Sequence, residues 1–299
     1  MKYDPKSLQV FISVVEEGTI ARAAEREHIA AAAISKRISE LEAVLHTQLL
    51  TRTNKGVEPT AAGIRLLNLA RRALNELADV YLQMQDYASG VRGHVRVFAN
   101  ISAITQFLPR ELNTFLQTYP QVQIHLEERI STVITKAVAE NAADIGIFTL
   151  GQHPPGVEVL PYRHDNLVLI VPRGHALGTL TSVRFSETLN YDYVGLHIGS
   201  AINTLLQNAA ASLERTLRFR MQVTGYDVLC LMVAEGLGVG VLPELVARKQ
   251  AAAVRLDIVK LDESWAHREL KICVRDHASL PVAARLLVDH LQDNEAKVS

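Results

Sequence analysis

Two adjacent cations follow four consecutive alanines in the segment HIAAAAISKR, which ends at Arg37. Lys36 and Arg37 could reach phosphate oxygens or base edges, and the planar fork of arginine suits guanine. Small side chains at the start of the same helix would permit close approach to a DNA groove. Alanine is also the best helix former, and a Lys-Arg pair is common on a solvated face. Both interpretations, a DNA-reading helix and a plain surface helix, stay open on these residues alone.

Hydroxyl residues form a second set, because several come directly after a predicted strand, where a helix begins. Ser102 follows HVRVFANI, Ser131 and Thr132 follow IHLEERI, and Gly199-Ser200 follows YVGLHI. Free backbone N–H groups at helix N-termini bind anions, and hydroxyl groups can reinforce them. The alternative is that each hydroxyl only caps its own helix, which needs no ligand.

Composition and spacing give little support to other chemistries. The net charge of −1 indicates no partner, and no apolar run reaches the length of a membrane span. The eleven histidines show no close pair with metal-ligand spacing, so no metal site is predicted. Cys230 and Cys273 lie in apolar patterns typical of inert buried thiols in a cytosolic chain, which speaks against a redox switch. Asp144 and Asp227 have no nearby nucleophile, and no cofactor motif or catalytic residue is predicted.

The N-terminal part reads as short helices in tight succession. The first predicted helix stops at Gly18, and Thr19 is placed to cap a second over residues 20–27. The two-residue turn His28-Ile29 joins this helix to a third over residues 30–45. Two helices joined so tightly predict a helix-turn-helix, if the second of them enters a major groove.

A hairpin and a long helix are expected next. The stretch LLTRTNKGVEPT predicts two short strands around Asn54-Lys55-Gly56, and Arg52 would join Asn54 and Lys55 in a wing able to contact flanking DNA. A helix over about residues 60–88, with Thr60 as its N-cap, keeps a near-heptad apolar spacing. Because so long a helix cannot all pack on a small neighbour, we expect it to pair with a second chain. The alternative is a connector within one chain.

From His94 onward, predicted strands such as HVRVFAN and NLVLIVP alternate with predicted helices such as FLPRELNTFLQTY, which indicates an α/β architecture. Two such units, joined by crossings near Tyr162–Asp165 and His267–Glu269, would leave a cleft between them. Ligands of open α/β sheets bind beyond the carboxyl ends of strands, so this cleft is the expected ligand site.

The chain resembles the LysR-type transcriptional regulators over its whole length. The N-terminal resemblance is carried by LQVFISVVEEGTIARAAEREHIAAAAISKRISELEAVLHTQLLTRTNKGVEPTAAG, and the C-terminal one by PRELNTFLQTYPQVQI, ADIGIF and VAEGLGVGVLP. It implies a winged helix-turn-helix DNA-binding domain over residues 1–60, a dimerisation helix over 61–89 and an α/β effector domain over 90–299. That domain would have two lobes of the periplasmic-binding-protein type, lobe I over about 93–163 and 269–293 and lobe II over about 164–268.

The resemblance also implies a function and the residues that perform it. A cytoplasmic homodimer or homotetramer, neither an enzyme nor a membrane protein, would bind a dyad-symmetric operator in double-stranded DNA and respond to a small organic effector, expected to be a carboxylate. The implied DNA-binding residues are Thr19, Ala31, Ala32, Ala33, Ser35, Lys36, Arg37, Arg52, Asn54 and Lys55. The implied effector-binding residues, converging on one cleft, are Ser102, Ser131, Thr132, His197, Gly199, Ser200 and Thr224. The competing hypothesis is a small-molecule-binding protein or enzyme that uses its α/β part without binding DNA.

One departure from the family pattern concerns DNA reading. Ala30, Ala31 and Ala32 stand where the family usually has serine, glutamine and proline or serine. Ala30 cannot cap its helix through a side-chain oxygen, which costs about 1 kcal/mol, and Ala31 cannot form a bidentate adenine contact. Base recognition is therefore expected to depend on Ser35, Arg37, methyl contacts to thymine and DNA shape.

Overall fold

The computed structural model of the chain describes residues 4–54, 56–87, 93–149 and 154–293. It divides into two units, the first up to Gly93 together with Ala139–Ala142 and the second containing the rest. Lys55 of the predicted turn and the predicted linker at Ser89-Gly90 lie outside the described residues. Within those residues, no helix combines the length and apolar composition that crossing a bilayer requires.

The described part of the first unit is mainly helical. Its elements are α1 (Pro5–Glu17), α2 (Ile20–Glu27), α3 (Ala31–Leu45), β1 (Leu50–Thr53), β2 (Gly56–Pro59) and α4 (Ala61–Tyr87). The predicted local signals are present: Gly18 ends α1 in the left-handed conformation, and Thr19 Oγ1 caps α2 by accepting from the N–H of Arg22 at 3.2 Å. The predicted hairpin is confirmed, because β1 and β2 pair antiparallel.

One apolar core holds the three short helices and the hairpin together. It is formed by fully or almost fully buried side chains, chiefly Val10, Phe11, Val14, Ala23, Ile34, Ile38, Leu41 and Leu49. Two polar contacts fix the hairpin beside α3 and the α1–α2 turn. Glu42 Oε1 accepts from the N–H groups of Leu49 and Leu50 at 2.8 and 3.1 Å, and the N–H of Val57 donates to the carbonyl of Gly18 at 2.8 Å.

The second unit has the predicted α/β architecture. Its strands are β3 (Gly93–Ala99), β4 (Val122–Glu128), β5 (Ile145–Phe148), β6 (Glu158–Pro172), β7 (Ser182–Val183), β8 (Tyr193–Leu196), β9 (Phe219–Val223), β10 (Gly240–Pro243), β11 (Leu256–Leu261) and β12 (His267–Val274). Its α-helices are α5 (Ile101–Gln106), α6 (Leu108–Thr118), α7 (Ser131–Ala139), α8 (Phe185–Thr188), α9 (Ala201–Ser212), α10 (Tyr226–Ala234), α11 (Glu244–Ala251) and α12 (Val282–Asp293). Among the described residues of this unit, short 3₁₀ helices span Ala176–Thr179, Ser264–Ala266 and His277–Ser279.

The long strand β6 connects two apolar cores. Its first half pairs antiparallel with β12, and its second half, from Leu167, pairs antiparallel with β10 and β11. The core called core I here contains side chains of β3, β5, β12, α6 and α12, whereas core II contains side chains of the second half of β6 with β8, α9, α10 and α11. β8 and β9 form a separate parallel pair.

The structure corrects several details of the predicted elements. The predicted strand NLVLIVP is only the second half of β6, which begins at Glu158. The single helix predicted over FLPRELNTFLQTY is preceded by a separate short helix, α5, that ends at Gln106. The strand β11 and the helix α11 were not predicted, and both pack on core II.

Candidate DNA-binding surface and effector cleft

The face of α3 opposite its buried residues carries small exposed side chains. Ala31, Ala32 and Ala33 are exposed, and Ser35 is half-buried. Lys36 is 78% exposed, and its Nζ is 3.8 Å from Glu40 Oε1, a solvated pair of negligible strength. Lys36 is therefore available to a phosphate. Ala30 has the backbone conformation of an N-cap but makes no side-chain cap bond, as predicted.

Arg37 has a partner that the sequence did not suggest. Its Nη1 donates to Ser7 Oγ at 3.2 Å and is 3.4 Å from Asp4 Oδ2, at the start of α1. The pKa of Asp4 is lowered, chiefly by the backbone N–H and hydroxyl of Ser7 and less by Arg37. Because Asp4 is exposed and depends so little on Arg37, the guanidinium can exchange this carboxylate for a phosphate at small cost.

A groove lies between α3 and the hairpin. Its lining includes Ser35 and Arg52, both predicted, together with Ser39 and Thr51. Arg52 and Asn54 are exposed. Thr19 does not line this groove, and its hydroxyl oxygen already caps α2. Ser39 lies one helical turn after Ser35, and this i,i+4 spacing was the sequence signal that could have identified it.

Four of the predicted effector residues surround one cavity in the second unit. Ser102, Ser131, His197 and Ser200 line it, and its volume of about 20 Å³ has room for one water molecule. Thr132, Gly199 and Thr224 do not belong to this lining. Thr132 and Thr224 are exposed, and Gly199 lies in the turn before α9 with a φ of +83°. Four of the seven predicted effector-binding residues therefore line this cavity, and three do not.

The hydroxyl groups reach this cavity from the starts of different helices. Ser200 is the N-cap of α9 and accepts from the N–H of Asn203 at 3.3 Å, while Ser131 is the first residue of α7. Ser102 is not a cap, because Asn100 caps α5 by accepting from the N–H of Ala103 at 3.0 Å. The capping explanation therefore accounts for Ser200 but leaves the position of Ser102 unexplained.

Ser102 and Tyr226 form a hydrogen bond that joins α5 to the start of α10, whose buried face belongs to core II. Their hydroxyl oxygens are 3.0 Å apart, and both residues line the cavity. Burial raises the pKa of Tyr226 to about 12, so its hydroxyl keeps its proton at neutral pH. The pair is therefore neutral and can both donate and accept.

Behind this pair lies a buried ion pair between β12 and β6. Arg268 donates through Nε and Nη2 to the two carboxylate oxygens of Asp165, and Nη2 also donates to Ser102 Oγ at 3.2 Å. Gln106 Nε2 donates to the same carboxylate at 2.8 Å. Among the described residues, Arg268 Nη1, Gln106 Oε1 and His197 Nδ1 are buried without a partner. Of these three residues, His197 lines the cavity, and Gln106 and Arg268 both donate hydrogen bonds to Ser102, which also lines it.

Known protein families match both parts of the chain. Residues 5–64 match the bacterial regulatory helix-turn-helix protein model of the lysR family, and residues 88–296 match the LysR substrate binding domain. The chain belongs to the LysR family of transcriptional regulators. It therefore has a DNA-binding helix-turn-helix and an effector-binding domain, and members of this family bind double-stranded DNA and small effectors as oligomers.

Relatives of this LysR-family protein are described as regulators. It is 30% identical over 241 residues to the probable HTH-type transcriptional regulator LrrA of Synechococcus elongatus, covering 80% of this chain and 81% of LrrA. It is 28% identical over 284 residues to the uncharacterized HTH-type transcriptional regulator YbhD of Escherichia coli, covering 95% of this chain and 89% of YbhD. These relatives are regulators rather than enzymes.

Solved structures show the same fold. The LysR family transcriptional regulator CbnR has a TM-score of 0.67 at 20% identity, and the match covers 97% of this chain and 99% of CbnR. Full-length BenM has a TM-score of 0.60 at 23% identity, with 99% of this chain and 97% of BenM covered. At these identities the likeness concerns the fold, and the predicted α/β class with an N-terminal winged helix-turn-helix is confirmed.

The sequence interpretation missed Tyr226, which lines the cavity, and the ion pair of Asp165 and Arg268, which contacts the cavity residue Ser102. Tyr226 begins a helix after the two residues Thr224 and Gly225 that follow a strand, the same kind of junction that identified the serines. Asp165 and Arg268 lie at the two predicted crossings and carry opposite charges. Opposite charges at the two crossings could have indicated that these residues form an ion pair, because a buried charge requires a partner.

The described residues also show the surroundings of the potential metal ligands and of the two thiols. No group of three or more His, Cys, Asp or Glu side chains there could hold a metal ion. Cys230 and Cys273 are both free and buried, and burial raises the pKa of each thiol to about 12.

Proposed function

We propose that this LysR-family regulator acts in the cytoplasm, reads dyad-symmetric sites in double-stranded DNA, and alters its DNA binding when a small carboxylate occupies the cavity of the second unit. It has no catalytic step in this proposal, because regulation needs only different effector affinities in two conformations. DNA reading is assigned to residues 1–60, dimerisation to 61–89 and effector binding to 90–299. The effector part comprises lobe I over about 93–163 and 269–293 and lobe II over about 164–268.

The exposed face of α3 and the hairpin support the DNA-reading assignment. Ala31, Ala32 and Ala33 offer clearance for a groove, and Lys36 and Arg52 offer exposed positive charge. We assign phosphate contacts to Lys36, Arg37, Arg52, Asn54 and Lys55. Thr19 serves mainly by capping α2.

The surface of α4 supports dimerisation. Ile64, Leu69, Leu77 and Val80 are each between 52% and 60% exposed. Leu69, Leu77 and Val80 share one face of this helix at about 3.6 residues per turn. Exposed apolar side chains are costly in water, and pairing with the same helix of a second chain would bury these three. A dimer formed in this way presents two α3 helices to a DNA site with two-fold symmetry.

The observation that carries the effector assignment is the convergence of hydroxyl groups on one cavity. Ser102, Ser131, Ser200 and Tyr226 come from the starts of four separate helices and line it together. Ser200 Oγ already accepts from a backbone N–H, so the proton of its own hydroxyl is left for a ligand. A cavity rich in donors suits a ligand rich in acceptors, and a carboxylate is the simplest of these.

DNA binding is tested with a Lys36→Ala/Arg52→Ala double variant of the full chain. Fluorescence anisotropy with fragments of the source genome, measured at several salt concentrations, should show steep salt dependence for the wild type. The variant should bind more weakly to all fragments, and the salt slope should fall by about one for each lost phosphate contact. Lys249→Ala, an exposed lysine on α11, is the matched control. Absence of salt-dependent binding by the wild type would refute this part of the proposal.

Effector binding is tested by thermal shift of the full chain with small carboxylates, amino acids and aromatic acids. For any acid that stabilises the wild type, the affinity should fall at least tenfold in the Ser102→Ala and Ser200→Ala variants. Ser212→Ala, an exposed serine at the end of α9, should leave the affinity unchanged. A stabilising acid whose affinity neither cavity variant changes would place the effector site elsewhere.

A further inference from the structure

The buried guanidinium of Arg268 has one nitrogen atom with no use inside the protein. The side chain is 4% exposed, and Asp165 occupies its Nε–Nη2 edge. Because the guanidinium fork is rigid, Nη1 points away from this carboxylate, and no described residue accepts its protons. An unpaired buried donor is costly, so an acceptor supplied from outside the chain would be bound strongly there.

The hydroxyl groups of Ser102 and Tyr226, next to Arg268, have one proton to donate to a ligand. Arg268 can only donate, so its bond to Ser102 Oγ consumes a lone pair of the serine. Ser102 and Tyr226 together own two hydroxyl protons, and their mutual hydrogen bond uses one. The other proton has no acceptor among the described residues, whichever hydroxyl donates. The pair therefore always keeps one donor for a ligand in the cavity.

We propose that Arg268 is the residue that selects the charge of the effector: its Nη1 and the spare hydroxyl proton of the Ser102–Tyr226 pair together bind a carboxylate of the ligand. This inference depends on the effector site proposed above and assigns the anion-recognising group within it. Asp165 already accepts three hydrogen bonds from Arg268 and Gln106. Glu128 and Arg129 also line the cavity, and Arg129 forms its ion pair with Glu127.

The size of the cavity defines what binding must change. About 20 Å³ holds one water molecule but not a carboxylate with its carbon chain. The ligand therefore has to separate lining groups to reach Arg268, which does not itself line the cavity, and the Ser102–Tyr226 bond joins α5 to α10 across these groups. Carboxylate binding beneath this bond would favour a conformation in which α5 and α10 lie farther apart, as a population shift requires.

The test compares variants of the two members of the ion pair. A structural role predicts weaker acid binding in both variants, whereas a recognition role predicts changes in acid affinity of opposite sign. In Arg268→Gln, affinity of the full chain for acetate and benzoate should fall by about 10- to 100-fold, the loss expected for a charged hydrogen bond. In Asp165→Asn, the arginine charge is no longer compensated, and affinity for the same acids should rise about tenfold. Acetamide and benzamide have the shape of these acids but not the charge, so the affinity for them should change less than threefold in both variants.

Isothermal titration of folded protein, checked by circular dichroism, gives a clear result. Weaker acid binding in both variants would mean that the ion pair only supports the fold, and Arg268 would not be the recognising residue, although the effector site would stand. Failure of every acid to bind the wild type would remove the proposed carboxylate class and this assignment together, and would leave DNA binding untouched.

A double variant covers the case in which one charge change prevents folding. Asp165→Asn/Arg268→Gln keeps hydrogen-bonding groups at both positions and leaves no unpaired charge. It should bind acid and amide with similar affinity, whereas the wild type should prefer the acid at least tenfold. An unchanged acid preference in the double variant would overturn the proposal, and an adventitious water on Nη1 would then explain its free position.

Discussion

The carboxylate of Glu27, the last residue of α2, lies 2.7 Å from Nζ of Lys6 in the first turn of α1. Its other oxygen accepts from the buried hydroxyl of Ser13 at 2.5 Å. Lys6 first, and Ser13 next, lower the pKa of Glu27 from 4.5 to about 2. Two helices of the DNA-binding unit are thus joined through one nearly buried charge.

The stability of this unit should therefore depend on Glu27 in a defined acid range. Because the folded pKa is the lower one, the stabilisation is complete above about pH 4.5 and is lost as the pH falls toward 2. Glu27→Gln should cost on the order of 2 kcal/mol at pH 7, a figure reduced because Lys6 is half exposed. Hydrogen exchange of buried α1 and α2 amides measures this cost directly.

A matched control lies two residues earlier on the same helix. Glu25 is exposed, and Glu25→Gln should change the exchange rates very little. Equal protection of the amides in the Glu27→Gln variant and the wild type at pH 7 would show that the Lys6–Glu27 contact contributes nothing.

The bare start of α3 gives a second prediction, in the stabilising direction. Ala30 has φ −63° and ψ 141°, the backbone conformation that a capping residue needs, and Thr19 already caps α2 in this unit. Ala30→Thr should supply the missing acceptor and raise stability by about 1 kcal/mol. Ala30→Val has the same shape without the oxygen and should give no gain. Thermal unfolding of both variants beside the wild type decides between a capping effect and a packing effect.

Gly56 carries a third prediction because the hairpin approaches the α1–α2 turn at this residue. Its φ is +137°, and an added Cβ would lie 2.2 Å from the carbonyl oxygen of Gly18. Gly56→Ala should displace β2 from this turn and weaken DNA binding at least tenfold. At Gly18 the backbone is also left-handed, but a Cβ would meet nothing within 4 Å. Gly18→Ala should cost only about 1 kcal/mol and spare DNA binding, and similar losses in both variants would contradict this account.

The first unit could be predicted closely because its signals are local. The glycine stop at Gly18, the cap at Thr19, the short turn to α3 and the turn residues of the hairpin each act within a few positions. The contact of Arg37 with Ser7 was not predictable, because it joins residues thirty positions apart and depends on how α1 and α3 pack.

The cleft shows the limit of sequence interpretation more clearly. Ser102 was identified from its place after a strand, yet its bonds to Tyr226 and Arg268 span 124 and 166 positions. The first half of β6 was missed because its polar residues, such as Arg163 and Asp165, hide the alternation typical of a strand. The buried charge of Asp165 therefore lies in a segment whose sequence does not indicate a strand.

The two cysteines give a final prediction, which concerns reactivity. Cys230 and Cys273 are fully buried, and burial raises the pKa of each thiol to about 12. At pH 8 only about one thiol in ten thousand is then a thiolate, the form that reacts. Iodoacetamide should therefore label neither cysteine of the native protein within an hour, and it should label both in urea. Mass spectrometry counts the labels on each chain.

Ser39→Cys, on the exposed face of α3, provides a reactive thiol in the same chain and should be labelled within minutes. Rapid labelling of Cys230 or Cys273 in the native protein would show that the surroundings of that cysteine open in solution. Peroxide could then reach the thiol and affect DNA binding, which the buried position of both thiols argues against.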